Sequence, residues 1–156
     1  MSAPTIALAE VDAWIGREVG VSEWSTIDAP RVAHFAECTE DFQSIHLDPE
    51  AAKAAGFDGA IAHGFLVLSM LSKFAYEASA QIENCRVSIN YGFEKVRFLS
   101  PVPVGSQIRA RFVLASAAQK RESQWLMTHD VSVEVKNQDK PAIVAQWLTL
   151  LITNGV

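Results

Sequence analysis

The chain has 156 residues, 49% of them hydrophobic and 20% charged, with a formal net charge of −5. That length fits one domain, spanning 1–156, and is enough to bury a core. The basic residues are scattered, which argues against a protein that grips nucleic acid through phosphates.

Leu8, Val11, Asp12 and Ile15 give a weak helical spacing that stops near Gly16, and Val21–Thr26 reads as a short strand containing Trp24. Asp28 is a plausible N-cap with Pro30 just inside, predicting a helix with Val32, Phe35 and Ala36 on one face that ends near Thr39. His46-Leu47-Asp48-Pro49 reads as a turn. Asp48 there caps a short helix from Pro49 through Ala54 to Gly56. Gly59 to Gly64 leads into Phe65–Ala75, apolar on nearly every side and so predicted to be the one long buried helix.

Beyond residue 85 the pattern is strands. Val87, Ile89, Tyr91 and Phe93 alternate with polar residues, and the phase then slips, which predicts a bulge near Glu94-Lys95. Pro101–Gly105 is a stiff connection. Ile108–Leu114 and Trp125–Val135 alternate, with a turn over Ala117–Ser123 between them. After a turn at Asn137–Pro141, Ile143–Thr153 is a last strand, apolar on both faces. The plan is α+β: about four long antiparallel strands forming a sheet wrapped around one buried helix. A doubly apolar last strand suggests that a second copy of the chain partly covers the outer face.

No signal-like start is visible, and no segment reaches the roughly 20 apolar residues of a membrane span. Cys38 and Cys85 form no CxxC pair and suggest no disulfide framework. A soluble, cytoplasmic protein is expected.

Chemistry concentrates in Thr39–Pro49. Asp41 and His46 are five residues apart in a loop, close enough to hold one water, with a carboxylate to accept a proton and an imidazole to orient. The plainer reading is a helix cap and a packed histidine. Asp41, His46, Asp48 and His63 match no closed zinc spacing. His63-Gly64 opens the buried helix, where unpaired N–H groups and a bare glycine have the form of an oxyanion hole; Gly64 could equally serve tight packing. Ser69 and Ser72 lie inside that helix, where serines usually bond back to a carbonyl one turn earlier. His129 falls on the apolar face of its strand, as a satisfied core histidine would, and Arg97, Arg109 and Arg111 read as solvated strand faces.

Asp41-Phe42-Gln43-Ser44-Ile45-His46-Leu47-Asp48-Pro49 is similar to the D-x-N-x-x-H-x-D-P of the MaoC-like dehydratases, or R-specific enoyl-CoA hydratases. Ile61-Ala62-His63-Gly64-Phe65, with His63 seventeen residues beyond His46, resembles the family's second motif. Asn90–Phe98 followed by Pro101–Gly105 looks most like a bacterial single-domain branch that includes nodulation-type dehydratases. The resemblance covers nearly the whole chain. It implies a hot-dog fold, a homodimer with sheets joined edge to edge, and reversible hydration of trans-2-enoyl thioesters of CoA or acyl carrier protein without metal, nicotinamide or flavin. It also implies that Asp41 and His46 are the catalytic pair, that the Gly64 N–H beside His63 receives the thioester oxygen, and that Ser72 supports the site. Gln43 stands where the family has Asn, which normally helps shape the loop. A hot-dog thioesterase and a non-catalytic acyl-binding module are the alternatives.

Overall fold

The computed structural model describes residues 4–154. A short strand β1 (Thr5–Ile6) leads into a 3-10 helix (Leu8–Trp14), then β2 (Glu18–Val21) and β3 (Ser25–Thr26). Three helices follow, α1 (Ala29–Thr39), α2 (Ser44–Leu47) and α3 (Pro49–Ala54), and then the long α4 (Gly64–Ala78). The rest is strand: β4 (Gln81–Ile82), β5 (Cys85–Phe98), β6 (Gln107–Arg121), β7 (Gln124–Val135) and β8 (Ile143–Thr153).

The main sheet has the order β2-β6-β7-β8-β5, with β3 also paired to β6, and every pair is antiparallel. Its concave face wraps α4, the hot-dog arrangement. Leu66, Val67, Met70, Leu71 and Phe74 of α4 enter one apolar cluster with Phe112, Val131, Val133 and Trp147 of the sheet. Each fully buried side chain of this size contributes roughly 1.5–3 kcal/mol. Alternation along β6 and β7 produces that face, because successive side chains point to opposite sides of a strand. Among the described residues, no helix is long and apolar enough to cross a membrane.

Several elements depart from expectation. The first helix is 3-10, consistent with its weak spacing. The strand expected at Val21–Thr26 is broken into β2 and β3; at the break the Ser22 N–H donates to the Ala110 carbonyl while the Ser22 hydroxyl, in place of a backbone carbonyl, accepts the Ala110 N–H. β6 runs through Arg121, so the expected Ala117–Ser123 turn shrinks to the hairpin tip at Glu122-Ser123. α4 is not covered all round: Phe65, Ser69, Lys73, Tyr76 and Glu77 form an exposed stripe, with Tyr76 80% exposed. Arg109 and Arg111 are half-buried rather than simply solvated. Both bond Glu134, whose carboxyl is pushed up by burial but pulled further down by the two guanidinium groups.

β5 differs most in meaning. Its bulge at Phe93/Lys95 is present, with further shifts at Cys85/Val87 and Asn90/Gly92. Ser88 pairs with Leu151 and Asn90 with Thr149, so these polar residues face the helix. Val87 and Ile89 pair with Ile152 and Leu150 on the outer face, where both are exposed. β8 lies inside the sheet, and β5 forms the edge beside it, opposite the edge made by the short β2 and β3.

Gly20 marks the tightest junction. A Cβ there would sit 1.8 Å from the Ala78 carbonyl oxygen at the end of α4. Backbone cannot yield as a side chain can, so Gly20→Ala should destabilise the protein by about 3 kcal/mol, the upper end of overpacking costs. Urea unfolding measures this, and a loss under 1 kcal/mol would contradict the contact.

Candidate active site

Asp28 starts α1 by accepting the Arg31 N–H on its carboxylate (3.0 Å), and the helix ends at Glu40, a non-glycine residue in the left-handed region (φ 59°). That reversal releases the chain into the loop at Asp41. The Asp41 carboxylate accepts the Gln43 N–H (3.4 Å). His46 is then presented by the single turn of α2, where a plain turn was expected, and is buried. Asp48 accepts the Glu50 N–H (2.9 Å) and so caps α3. The exposed side chain of Gln43 makes no hydrogen bond among the described residues. Its backbone shapes this loop.

Two imidazoles lock this loop to the entry of α4. The His46 Nδ1–H donates to the Ile61 carbonyl (2.7 Å), and the His63 Nε2–H donates to the Asp41 carbonyl (3.0 Å). Each acceptor is a carbonyl, so each contacting nitrogen carries the proton. The neutral His46 ring then keeps its Nε2 lone pair. The two rings lie 3.9 Å apart between centroids, tilted by 31°. His63 is only 1% exposed, and its Nδ1 is buried without a partner among the described residues. It stands behind His46 as a brace.

Gly64 is the first residue of α4, and His63 before it supplies no side-chain cap. The opening N–H groups of a helix have no intrahelical partner and carry partial positive charge. A Cβ on Gly64 would meet the Phe98 ring at 2.9 Å. Phe98 is half exposed and packs edge-on against Phe65 with centroids 5.7 Å apart. The ring thus forms part of the cleft wall beside the start of α4. Asp41, His46, Gly64 and Phe98 share one cleft of about 440 Å³. Sequence reading missed Phe98; its one available signal was the inward phase it shares with Val96 after the bulge.

Ser72 is not part of this group within the chain. It lies eight residues beyond Gly64, about 12 Å along the helix axis. Its hydroxyl does not bond back along the helix as expected but accepts the Asn90 Nδ2–H (3.3 Å), whereas Ser69 does bond back, to Leu66. Ser72 lines a second cavity of about 150 Å³ between the far half of α4 and the sheet. His129 also lines it. Rather than being a satisfied core histidine, His129 has no hydrogen-bond partner among the described residues. Burial pushes its pKa down to about 4, with only slight opposition from Asp130.

A domain model described as "MaoC like domain" matches residues 10–137. The chain belongs to the MaoC-like dehydratase family. Among MaoC-like relatives, it is 43% identical over 147 residues to nodulation protein N of Rhizobium leguminosarum bv. viciae, covering 94% of this chain and 91% of that one. It is 40% identical over 140 residues to 3-hydroxyacyl-thioester dehydratase Z of Mycobacterium tuberculosis (strain ATCC 25618 / H37Rv), covering 90% and 92%. The fold matches the crystal structure of a monoamine oxidase regulatory protein from Archaeoglobus with a TM-score of 0.78, at 24% identity and 99% coverage of both chains.

His129 also makes a pH signature for this MaoC-like chain. The folded protein holds the ring neutral down to about pH 4, whereas the unfolded chain binds a proton from about pH 6.5. Stability should therefore fall as pH drops through that window, by up to about 3 kcal/mol, and level off below it. His129→Leu should remove this component of the slope. Denaturant midpoints between pH 7 and pH 4 measure it, and identical slopes in the two proteins would refute the assignment.

Proposed function

We propose that this protein adds water reversibly to trans-2-enoyl thioesters to give (R)-3-hydroxyacyl thioesters, the reverse direction being the dehydratase reaction. One observation carries the reading: Asp41 and the lone-pair side of His46 open into the same cleft as the unpaired start of α4. The Mycobacterium tuberculosis relative, described as a 3-hydroxyacyl-thioester dehydratase, supports the reaction class.

The steps follow from the groups. A water donates one hydrogen to the Asp41 carboxylate and the other to His46 Nε2. Its oxygen bonds to C3 of the enoyl group as Asp41 takes a proton, and the π electrons move onto the thioester oxygen. The Gly64 N–H meets that developing charge; one such donor is worth about 3–4 kcal/mol in a dry site. The proton taken from the water is then passed from the Asp41–His46 pair to C2 as the π electrons return from the thioester oxygen, which completes the addition and restores both groups. The fixed Nδ1–H bond to Ile61 holds the His46 tautomer that this requires.

The sequence expectation of no metal, nicotinamide or flavin is kept. Asp41, His46 and His63 place ligand atoms within 4.8 Å of one another. Yet His63 spends Nε2 on the Asp41 carbonyl and its Nδ1 is buried, which leaves the cleft only the Asp41 carboxylate and His46 Nε2 as free donors, fewer than a resident metal takes. Thioester cleavage has less support: the only carboxylate on α4 is Glu77, near its far end and paired with Lys73.

Asp41→Asn and His46→Gln should each lower kcat on crotonyl-CoA by at least a hundredfold, the scale of a lost general base, with the fold unchanged by circular dichroism. Loss of absorbance at the enone band measures hydration, and wild-type rates should be equal with and without EDTA. Wild type that releases free thiol instead, or variants that stay near wild-type rate, would overturn the reading.

The acyl group also needs a wall on the α4–β5 side. We take a second copy, paired along the open β5 edge, to supply it. Val87, Ile89 and Tyr91 stand exposed on that strand and Phe65 and Tyr76 on the neighbouring helix stripe. Sedimentation velocity at micromolar concentration should show a dimer, and a monomer there would remove this part.

A further inference from the structure

The 150 Å³ cavity has an unusual lining for the concave side of a sheet. Met127, Trp147 and Leu151 make it apolar, but His129, Thr149, Asn90 and Ser72 also face it from β7, β8, β5 and α4. These polar positions are neighbours: Met127 pairs with Thr149, Thr149 with Asn90, and Asn90 bonds Ser72. His129 sits two residues along β7 from Met127, on the same face. Its ring is partly buried, open only toward the cavity it lines, and its nitrogens find no protein partner among the described residues. Buried polar groups are nearly always satisfied, by protein, water or ligand.

The cavity is placed to meet a chain bound at Gly64. α4 and β5 run antiparallel along one seam: Phe98 lies against Gly64 at one end, and Asn90 bonds Ser72 at the other. The separation is about 12 Å along the helix. An extended covalent chain advances about 1.2 Å per bond, so that span takes about ten bonds. A cavity near 150 Å³ holds a group the size of benzene, about six heavy atoms.

The lining sets the chemistry of that group. A neutral imidazole offers one donor and one acceptor, and Thr149 adds a hydroxyl. Among the described residues no Lys or Arg lines the cavity, so a carboxylate there would be a buried, unpaired charge. A purely alkyl end would exclude solvent from the His129 nitrogens and offer them no hydrogen bond in return.

We propose that this cavity receives the distal end of the acyl group and that His129 selects chains carrying a neutral oxygen, a hydroxyl or keto group, about ten bonds from the thioester carbonyl. The proposal rests on the reading of the Asp41–His46 cleft as a thioester hydratase. It assigns His129 to specificity, far from the reacting carbons.

Three thioesters test it: crotonyl-CoA, which is too short to reach the cavity, trans-2-decenoyl-CoA, and its 10-hydroxy counterpart. Wild type should favour the hydroxylated C10 substrate over the plain one by about tenfold in kcat/KM, the size of one neutral hydrogen bond. His129→Leu should erase that preference, and His129→Gln, which keeps a donor and an acceptor, should retain part of it. Crotonyl-CoA turnover should stay within about twofold of wild type in both variants, a result that a merely structural role for His129 would not give. If wild type hydrates crotonyl-CoA but shows no preference between the C10 pair, or if His129→Leu shifts both C10 substrates alike, the inference fails and the hydratase reading stands. If no thioester is hydrated, the hydratase reading fails, and calorimetric affinities for the two C10 thioesters decide the cavity. A gap that depends on His129 upholds it, and equal affinities overturn it.

Discussion

Two hydrogen bonds hold the candidate site together, each from an imidazole to a carbonyl on the other's side of the chain. His46 reaches from the Asp41 loop to Ile61, and His63 reaches back from the start of α4 to Asp41. The segments they join carry the acid–base groups on one side and the helix start on the other. Neither bond alone fixes their relative position, but the pair makes a closed ring with the two imidazoles in contact at its centre. Among the described residues the buried His63 Nδ1 has no partner. A bare lone pair costs about 1–3 kcal/mol where a partner is possible.

The same logic of polar groups set into an apolar frame appears on the concave face of the sheet. β5 irregularities turn Ser88 and Asn90 inward and leave Val87 and Ile89 outward. The result is a cavity with a wet row at its centre and an apolar strip on the outside of the sheet. Both consequences follow from where the strand shifts phase, not from the composition of the strand.

Much of the site was legible because it is local. Asp41 and His46 stand in one loop, Asp48 caps the next helix as its Asp-Pro pattern predicts, and Gly64 begins α4 where the apolar run begins. The wrapped sheet was legible from the alternation in β6 and β7. What escaped depends on pairing across the chain. The brace between His63 and Asp41 joins residues 22 apart, and no spacing rule anticipates it. Phe98 meets Gly64 only because β5 runs back along α4. The facing of β5 was not legible, because its apolar residues do alternate and alternation alone does not say which side is inside. His129 was visible as a polar residue in an apolar row, but a cavity beside it is a property of packing. Gln43 drew attention as a departure, yet the loop turns on its backbone N–H, which any residue but proline supplies.

The open edge of β5 has one more consequence. A fourteen-residue strand with one free edge and apolar side chains exposed along it would ordinarily template runaway addition of strands. Stacking of that kind needs a straight, even ladder. β5 breaks its register three times and carries the charged pair Lys95 and Arg97 near one end. A generic flat strand would lose its alignment at each break. Only a partner bent in the same places can follow the edge along its length. The irregularities that shape the cavity on one side thus protect the protein, on the other, from sticking to the wrong chain.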